Sequence, residues 1–364
     1  MRKESLFRKM RLSIPASLLI VIIVAAVLTS SAHSASAENQ ASSPYSVILI
    51  SVDGLRPDAI TTHGPDSVPA FYRLMREGAF THNARTAITQ THTLPNHTGM
   101  VTSRLVDGPD GHGWTWNKDP QLGDTLHRNK GEYLHSMFSV AHDHGFRTGL
   151  YASKTKFSLF DLSWGPRYGE PDPVGEDNGR DKIDVYHMKT RSENMVDDLE
   201  SVLKKEQAFD LLMVHIRNPD TAGHGFEWNI NIPSIYMAAV KKADELLEDI
   251  FDHLEEPAWK GRTFVVVTAD HGGPLGLKEH GDNQNPENFT VPFYVWGPGI
   301  PAGADLYALN PESRLDPGTT NPLPSPGMLP PIRNAGAGNL CLDLLGLPPI
   351  PGSTVNAAQD LKVR

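Results

Sequence analysis

The sequence predicts an α/β protein with a mostly parallel central sheet and helices on both of its faces. Two observations carry this expectation. Short apolar runs rich in β-branched residues alternate with longer amphipathic stretches from Tyr45 onward, the pattern of parallel strands joined by helical crossovers. No internal repeat or shift of composition asks for a second core.

In chain order, "YSVILISV" reads as a first buried strand and "VPAFYRLMREG" as a helix that stops at Gly78. Helix-like stretches follow around 131–144, 191–206 and 233–254, the last being "PSIYMAAVKKADELLEDIFDHL". Between and after them, "FRTGLYAS", "FDLLMVHI", "RTFVVVTA" and "TVPFYVWG" read as further strands. Two stretches break the rhythm. Residues 163–182, "SWGPRYGEPDPVGEDNGRDK", are rich in Gly, Pro and charge and are expected to form a surface excursion or lid. "NPESRLDPGTTNPLPSPGMLPPIRN" is proline-dense and is expected to be an ordered wrap, because a helical pattern follows it.

The first 37 residues stand apart. Arg2, Lys3, Arg8, Lys9 and Arg11 precede the apolar "ASLLIVIIVAAVL" and the small residues "SASA". This is the form of a secretory signal peptide cut after Ala37. The apolar run is short for a membrane span, although an uncleaved anchor would use the same residues. The expectation is therefore a signal peptide over 1–37, a linker over 38–44 and one catalytic domain over 45–364. The protein would be exported, periplasmic or secreted, with no stable membrane association after cleavage.

Charge and cysteine content narrow the function. The formal charge is −10, and becomes −14 without the five basic residues and one acidic residue of 1–37. So acidic a chain is a poor candidate for tracking a nucleic-acid backbone. Small anionic substrates stay admissible, since a bound metal can outweigh the net field. The single Cys341 permits no internal disulfide, and its apolar setting "GNLCLDLLGLPP" marks a buried structural thiol.

Three of the apolar strands end in acid or histidine. "ILISVDG" delivers Asp53, "LLMVHIRNPDTAGHG" delivers Asp220 and His224, and "VVVTADHGG" delivers Asp270 and His271, with His280 following in "EHGDN". Ligands of open α/β sheets bind beyond the carboxyl ends of the strands, so these residues should meet at one edge. An Asp-Gly after a strand is usually only a turn, and D-x-x-x-H alone is a weak signal. Three Asp and three His at three strand ends are harder to dismiss. Carboxylate oxygen and imidazole nitrogen are a ligand set for zinc and similar divalent ions. Six ligands exceed one open catalytic site and suit two metals with three protein ligands each. In "TQTHTLPNHTGMVTS" the pattern places Thr93 near a helix N-terminus, where backbone N–H groups favour an anion. A helix N-cap is the plainer role for such a threonine. Further on, "GHGWTWN" offers Asn117, an amide able to donate to a phosphoryl oxygen.

The set "VDG", "THTLPNHTGMVTS", "HGWTWN", "NPDTAGHG", "TADHGG" and "HGDN" resembles, in content and order, the alkaline phosphatase superfamily. It looks most like the nucleotide pyrophosphatase/phosphodiesterase (type I phosphodiesterase) branch, over residues 46–300. The resemblance implies an alkaline phosphatase-like fold, two zinc ions and a threonine nucleophile. Asp220, His224 and His280 would hold one zinc. Asp53, Asp270 and His271 would hold the other, to which Thr93 would bridge, and Asn117 would bind the oxyanion. The spacing from Thr93 to Asn117 is a few residues longer than in typical members.

A second departure bears on substrate. Where diesterases of this kind carry a Trp-Pro-Gly type stretch, this chain has "LYASKTKFSL", with Lys154 and Lys156. They lie two apart at the end of an expected strand, so alternation would point both to one face. A lysine pair would offset the extra charge of a monoester, and it resembles the pair of phosphonoacetate hydrolase; a solvated strand edge is the plainer role. The first expectation is a hydrolase of phosphodiesters or nucleotide pyrophosphates, with a small-molecule phosphate ester or nucleotide as partner. Phosphomonoester or phosphonate cleavage is the alternative. A sulfatase is disfavoured, because no Cys or Ser stands in a C/S-x-P-x-R context. A non-catalytic binding protein on the same fold would have lost a ligand or the nucleophile, and all seven positions are occupied.

Overall fold

The computed structural model describes residues 43–205, 208–319 and 327–364. The expected signal peptide and most of the expected 38–44 linker lie outside these residues. Eight strands form one sheet: β1 (Ser46–Val52), β2 (Ala79–Arg85), β3 (Thr148–Ala152), β4 (Val185–Met188), β5 (Leu211–Ile216), β6 (Thr263–Thr268), β7 (Thr290–Trp296) and β8 (Ala304–Asp305). Their order across the sheet is β4-β3-β5-β1-β6-β7-β2-β8. The five strands from β4 to β6 run parallel, β7 is antiparallel to both β6 and β2, and β8 pairs parallel with β2.

The helices are α1 (Pro57–His63), α2 (Pro69–Glu77), α3 (Thr93–Thr102), α4 (Leu126–Lys130), α5 (Met137–Asp143), α6 (Ser158–Trp164), α7 (Ser192–Leu203), α8 (Asn218–Phe226), α9 (Ile235–Leu254), α10 (Pro286–Phe289) and α11 (Ala337–Leu345). One group, α1, α2, α7 and α8, gathers around α9, while α3 and α5 gather around α11, which lies on β1. Every residue of β5 and β6 is buried, as strands covered on both faces must be. The expected mostly parallel sheet with helices on both faces is the observed one.

Local differences have local causes. The stretch 131–144 is helical only over α5, because Gly131 adopts φ +84° and ends α4; α5 then restarts from a Ser136–Ser139 capping box. Strands β2, β4 and β8 went unread in the sequence. Two of them are edge strands of four and two residues, too short for a periodic pattern, and "AFTHNAR" is largely polar. The 163–182 excursion is tied to α5 through Lys182, which is buried against Asp143 at 2.8 Å and also pairs with Asp172. Of the proline-dense wrap, residues 320–326 lie outside the described residues, and before them Arg314 pairs with Asp360 at 2.6 Å. Cys341 is buried, and burial pushes its thiol pKa up. Among the described residues no helix is long and apolar enough to cross a membrane.

One buried histidine sets a testable pH dependence. His112 is fully buried, accepts from Trp114 N–H at 3.1 Å, and is pushed down to about 3 by burial. A depressed histidine contributes stability that is complete above its unfolded pKa near 6.5 and is lost as pH falls toward the folded value. His112→Gln cannot titrate. The stability advantage of wild type over this variant should shrink by about 1.4 kcal/mol per pH unit below about pH 6. Urea midpoints at pH 7 and pH 5 measure it, and parallel pH profiles would refute it.

Candidate metal and phosphoryl-transfer site

The centre of the sheet sets the site. β1 lies between β5 and β6, with Val52 opposite Ile216 and Ser51 opposite Thr268, so three strands end at one level. Just beyond these ends stand Asp53, then Asp220 on the first turn of α8, then Asp270 and His271. The turn after Asp53 needs glycine. Gly54 adopts φ +71°, and a Cβ there would meet the backbone of Asp220 at 2.9 Å. Its N–H donates to Asp270 Oδ1 at 3.1 Å, and its carbonyl accepts from Tyr236 OH and Trp228 Nε1. Trp228 in turn fills the space beside Gly273, where a Cβ would approach its ring to 2.2 Å.

Asp53, Asp220, Asp270, His271 and His280 are all buried and gather into one cluster. His271 Nε2 lies 3.3 Å from Asp270 Oδ2, 3.5 Å from Asp53 Oδ1 and 3.7 Å from Asp220 Oδ1. His280 Nε2 lies 3.8 Å from Asp220 Oδ1 and 3.2 Å from His224 Nε2. His224 is half exposed and sits 3.3 Å from Asp220, one helical turn before it on α8. The structure thus brings together all six residues singled out by the strand ends. It differs in one detail: His271 lies within reach of both groups of ligands, Asp53 with Asp270 and Asp220 with His280.

The histidines are oriented by the backbone. Nδ1 of His224 lies 2.7 Å from the Lys278 carbonyl, Nδ1 of His271 2.8 Å from that of Gly272, and Nδ1 of His280 close to that of Thr91. A carbonyl only accepts, so each Nδ1 carries the proton and each Nε2 lone pair faces the cluster. Four converging atoms have no hydrogen-bond partner: Asp53 Oδ1, Asp220 Oδ1, Asp270 Oδ2 and His271 Nε2. Buried acceptors left unpaired are costly, and a divalent cation satisfies them together. The donor set therefore fits divalent metal.

The electrostatics agree with that fit. Burial drives Asp270 well above the usual carboxylate range, and the neighbouring charge of Asp53 adds to the shift. Burial acts the same way on Asp53, but Lys154, His215 and His271 outweigh it and hold that carboxyl well below its ordinary value. Burial lowers His271 to about 4, so its imidazole is neutral. Behind the cluster, His215 Nε2 reaches Asp53 Oδ2 at 2.8 Å, and His97 Nδ1 reaches the Thr93 carbonyl at 2.7 Å. Sequence reading missed both. A lone His inside the apolar run of β5 carries no signal of its own, while His97 stood in the quoted "LPNHTG" without a role.

Thr93 is the first residue of α3, with His92 at the N-cap and no side-chain cap bond. The plain N-cap role for Thr93 is therefore excluded. Its buried hydroxyl accepts from Lys154 Nζ at 3.2 Å. The same ammonium lies 2.6 Å from Asp53 Oδ2 and 2.6 Å from Asp220 Oδ2, and these carboxylates raise its pKa against the effect of burial. The expected strand-end alternation of the two lysines is incorrect. β3 stops at Ala152, Lys154 caps a 3-10 turn over Thr155–Phe157, and Lys156 lies within that turn. Both still reach the site, Lys154 at the carboxylates and Lys156 at Asn117 Oδ1, 2.9 Å away. Asn117 is itself bound to the first turn of α3, its Oδ1 accepting from Leu94 N–H at 3.1 Å.

A sequence profile of the type I phosphodiesterase/nucleotide pyrophosphatase family matches residues 47–284. The chain belongs to this family. Its family and fold are those of phosphoester hydrolases and transferases. GPI ethanolamine phosphate transferase 1 of Aspergillus fumigatus is 24% identical over 279 residues, which are 70% of this chain and 25% of that protein. A 2,3-bisphosphoglycerate-independent phosphoglycerate mutase of Methanocaldococcus jannaschii is 23% identical over 123 residues, 34% of this chain and 26% of that one. The chain thus spans about a quarter of the length of these relatives. Among solved structures, murine ectonucleotide pyrophosphatase/phosphodiesterase 5 superposes with a TM-score of 0.54 at 15% identity, over 84% of this chain and 96% of that one. The lipoteichoic acid synthase LtaP of Listeria monocytogenes gives 0.57 at 14% identity, over 85% and 75%. At such identities these structures establish the fold alone, an alkaline phosphatase-like sheet.

Proposed function

We propose that the chain is a metal-dependent hydrolase of phosphodiesters or nucleotide pyrophosphates with Thr93 as its nucleophile. The observation that supports this most is the position of the Thr93 hydroxyl. It stands at the start of α3, and Lys154 links it to the cluster of unpartnered carboxylate and imidazole atoms.

Asp220, His224 and His280 would hold one divalent ion, and Asp53, Asp270 and His271 a second, zinc being the ion this donor set favours. Bound there, two such cations supply Lewis acidity at the attacking and leaving oxygens of an in-line displacement. The chain supplies the rest. The Thr93 oxygen attacks phosphorus and gives up its proton, the P–O bond to the leaving group breaks, the leaving oxygen takes up a proton, and a phosphothreonine forms. Water then attacks phosphorus and gives up a proton, the Thr93–phosphate bond breaks, and the Thr93 oxygen takes up the proton that the water has lost. Transfer to water rather than to an alcohol is part of the proposal. The Asn117 amide would face the phosphoryl oxygens, where charge develops. The basic and apolar run of residues 1–37 supports an exported, periplasmic or secreted enzyme.

Lys154 supports a second reading, cleavage of monoesters or phosphonates. Its ammonium stands beside Thr93, where it would meet the extra negative charge of a monoester. One panel separates the readings: aryl diester, nucleotide ester and aryl monoester on a single preparation. Diester preference is the expected result, monoester preference would favour the second reading, and inactivity on all three would refute both. On the same panel, Lys154→Met should depress the monoester rate about tenfold more than the diester rate, about 1.4 kcal/mol of differential transition-state stabilisation. Equal losses would mean that Lys154 only braces Asp53 and Asp220.

A further inference from the structure

Lys154 and Lys156 are near neighbours in sequence, yet they touch different things. Lys154 meets carboxylates. Lys156 meets an amide: its Nζ donates to Asn117 Oδ1 at 2.9 Å and reaches the Asn117 carbonyl at 3.4 Å. One residue earlier, the Thr155 hydroxyl donates to the Asp119 carboxylate, 2.8 and 2.9 Å from its two oxygens. The 3-10 turn over Thr155–Phe157 therefore grips the 117–119 loop at two points, and the third contact, from Leu94 N–H to Asn117 Oδ1 at 3.1 Å, pins that loop to the start of α3.

Two donors on one oxygen decide which way an amide faces. Turned over, Asn117 would set its NH2 group against a backbone N–H and an ammonium, with no acceptor for either of its hydrogens there. Held as it is, the amide keeps Oδ1 on Leu94 and Lys156 and leaves Nδ2 as a free donor beside the turn that carries Thr93. A donor fixed before the reaction needs no reorganisation as charge develops on a phosphoryl oxygen.

The geometry points to a clamp: we propose that Lys156, with Thr155, positions Asn117 and makes no direct contact with substrate. The proposal rests on the reading of Asn117 as a donor to the phosphoryl group, and two measurements keep them separate.

The first is kinetic. Lys156→Met should lower kcat about tenfold on aryl diester and aryl monoester alike, with KM nearly unchanged, and Lys156→Arg should recover most of the loss. In an Asn117→Ala background the same Lys156→Met change should cost less than about twofold, because the group it positions is gone. Additive losses, or a loss confined to the monoester, would overturn the clamp. The second is a crystal structure of the Lys156→Met protein, which reads the clamp without turnover. Asn117 turned over or drawn away from Leu94 N–H supports it, and an unmoved Asn117 overturns it. A harmless Asn117→Ala would instead remove the oxyanion role and leave the clamp to the crystal structure.

Discussion

Replacing Thr93 by alanine should lower hydrolysis of the preferred phosphoester by at least about a thousandfold while leaving the melting temperature nearly unchanged. The reaction as proposed begins with the Thr93 oxygen, so its removal closes the covalent route altogether. What survives is catalysis by binding and charge alone, which falls short of the covalent route by orders of magnitude. The fold should tolerate the change. Thr93 makes no cap bond, and among the described residues its hydroxyl is bound by Lys154 alone, which keeps Asp53 and Asp220 as partners. Thr93→Ser keeps a hydroxyl at the same place, primary instead of secondary, and should keep activity within about tenfold of wild type. Rapid-quench detection of phosphoprotein, present in wild type and Thr93→Ser only, checks the intermediate directly. A Thr93→Ala protein that works at full rate would show that water attacks phosphorus without a covalent step.

The second large effect belongs to the proposed metal ligands. His280→Ala removes a buried imidazole held by the Thr91 carbonyl and facing Asp220 and His224. Asp220→Ala removes a carboxylate next to His224, His271 and His280. Either change should strip about one equivalent of divalent metal from the purified protein and lower activity by about a thousandfold or more. Chelation should do the same to wild type, and added zinc should reverse it there but not in the variants. Elemental analysis beside the rate assay is the measurement. A variant that keeps both its full metal content and its activity would dismiss the two-metal site.

The candidate ligand residues were legible because their signal is local. A buried strand ends where its apolar run ends, and an acid or histidine placed there must face the edge of the sheet. Asp53, Asp270 and His271 announce themselves in this way, and Asp220 with His224 follows from one turn of helix. Second-line residues leave no such mark. His215 reaches Asp53 from inside a strand of apolar neighbours. His97 acts on the carbonyl of the residue one helical turn earlier. The lysines were found for an incorrect reason, since the strand ends two residues before Lys154 and a 3-10 turn, not a pleat, aims the pair.

By itself the sequence determined the class of fold and the family, and it singled out six candidate ligands on or after three strands together with Thr93. Each depends on short-range pattern: apolar runs, helical spacing, and the order of chemical groups along the chain. Tertiary structure decided which strands lie side by side, and so which ligands meet. β1 stands between β5 and β6, strands that follow it by more than 150 residues, and only that placement brings Asp53 to Asp220 and Asp270. It decided also that Lys154 joins two carboxylates while Lys156 turns to Asn117. Side chains two residues apart share a fate when the backbone repeats, and a turn between them sends each to whatever the rest of the fold has placed nearby.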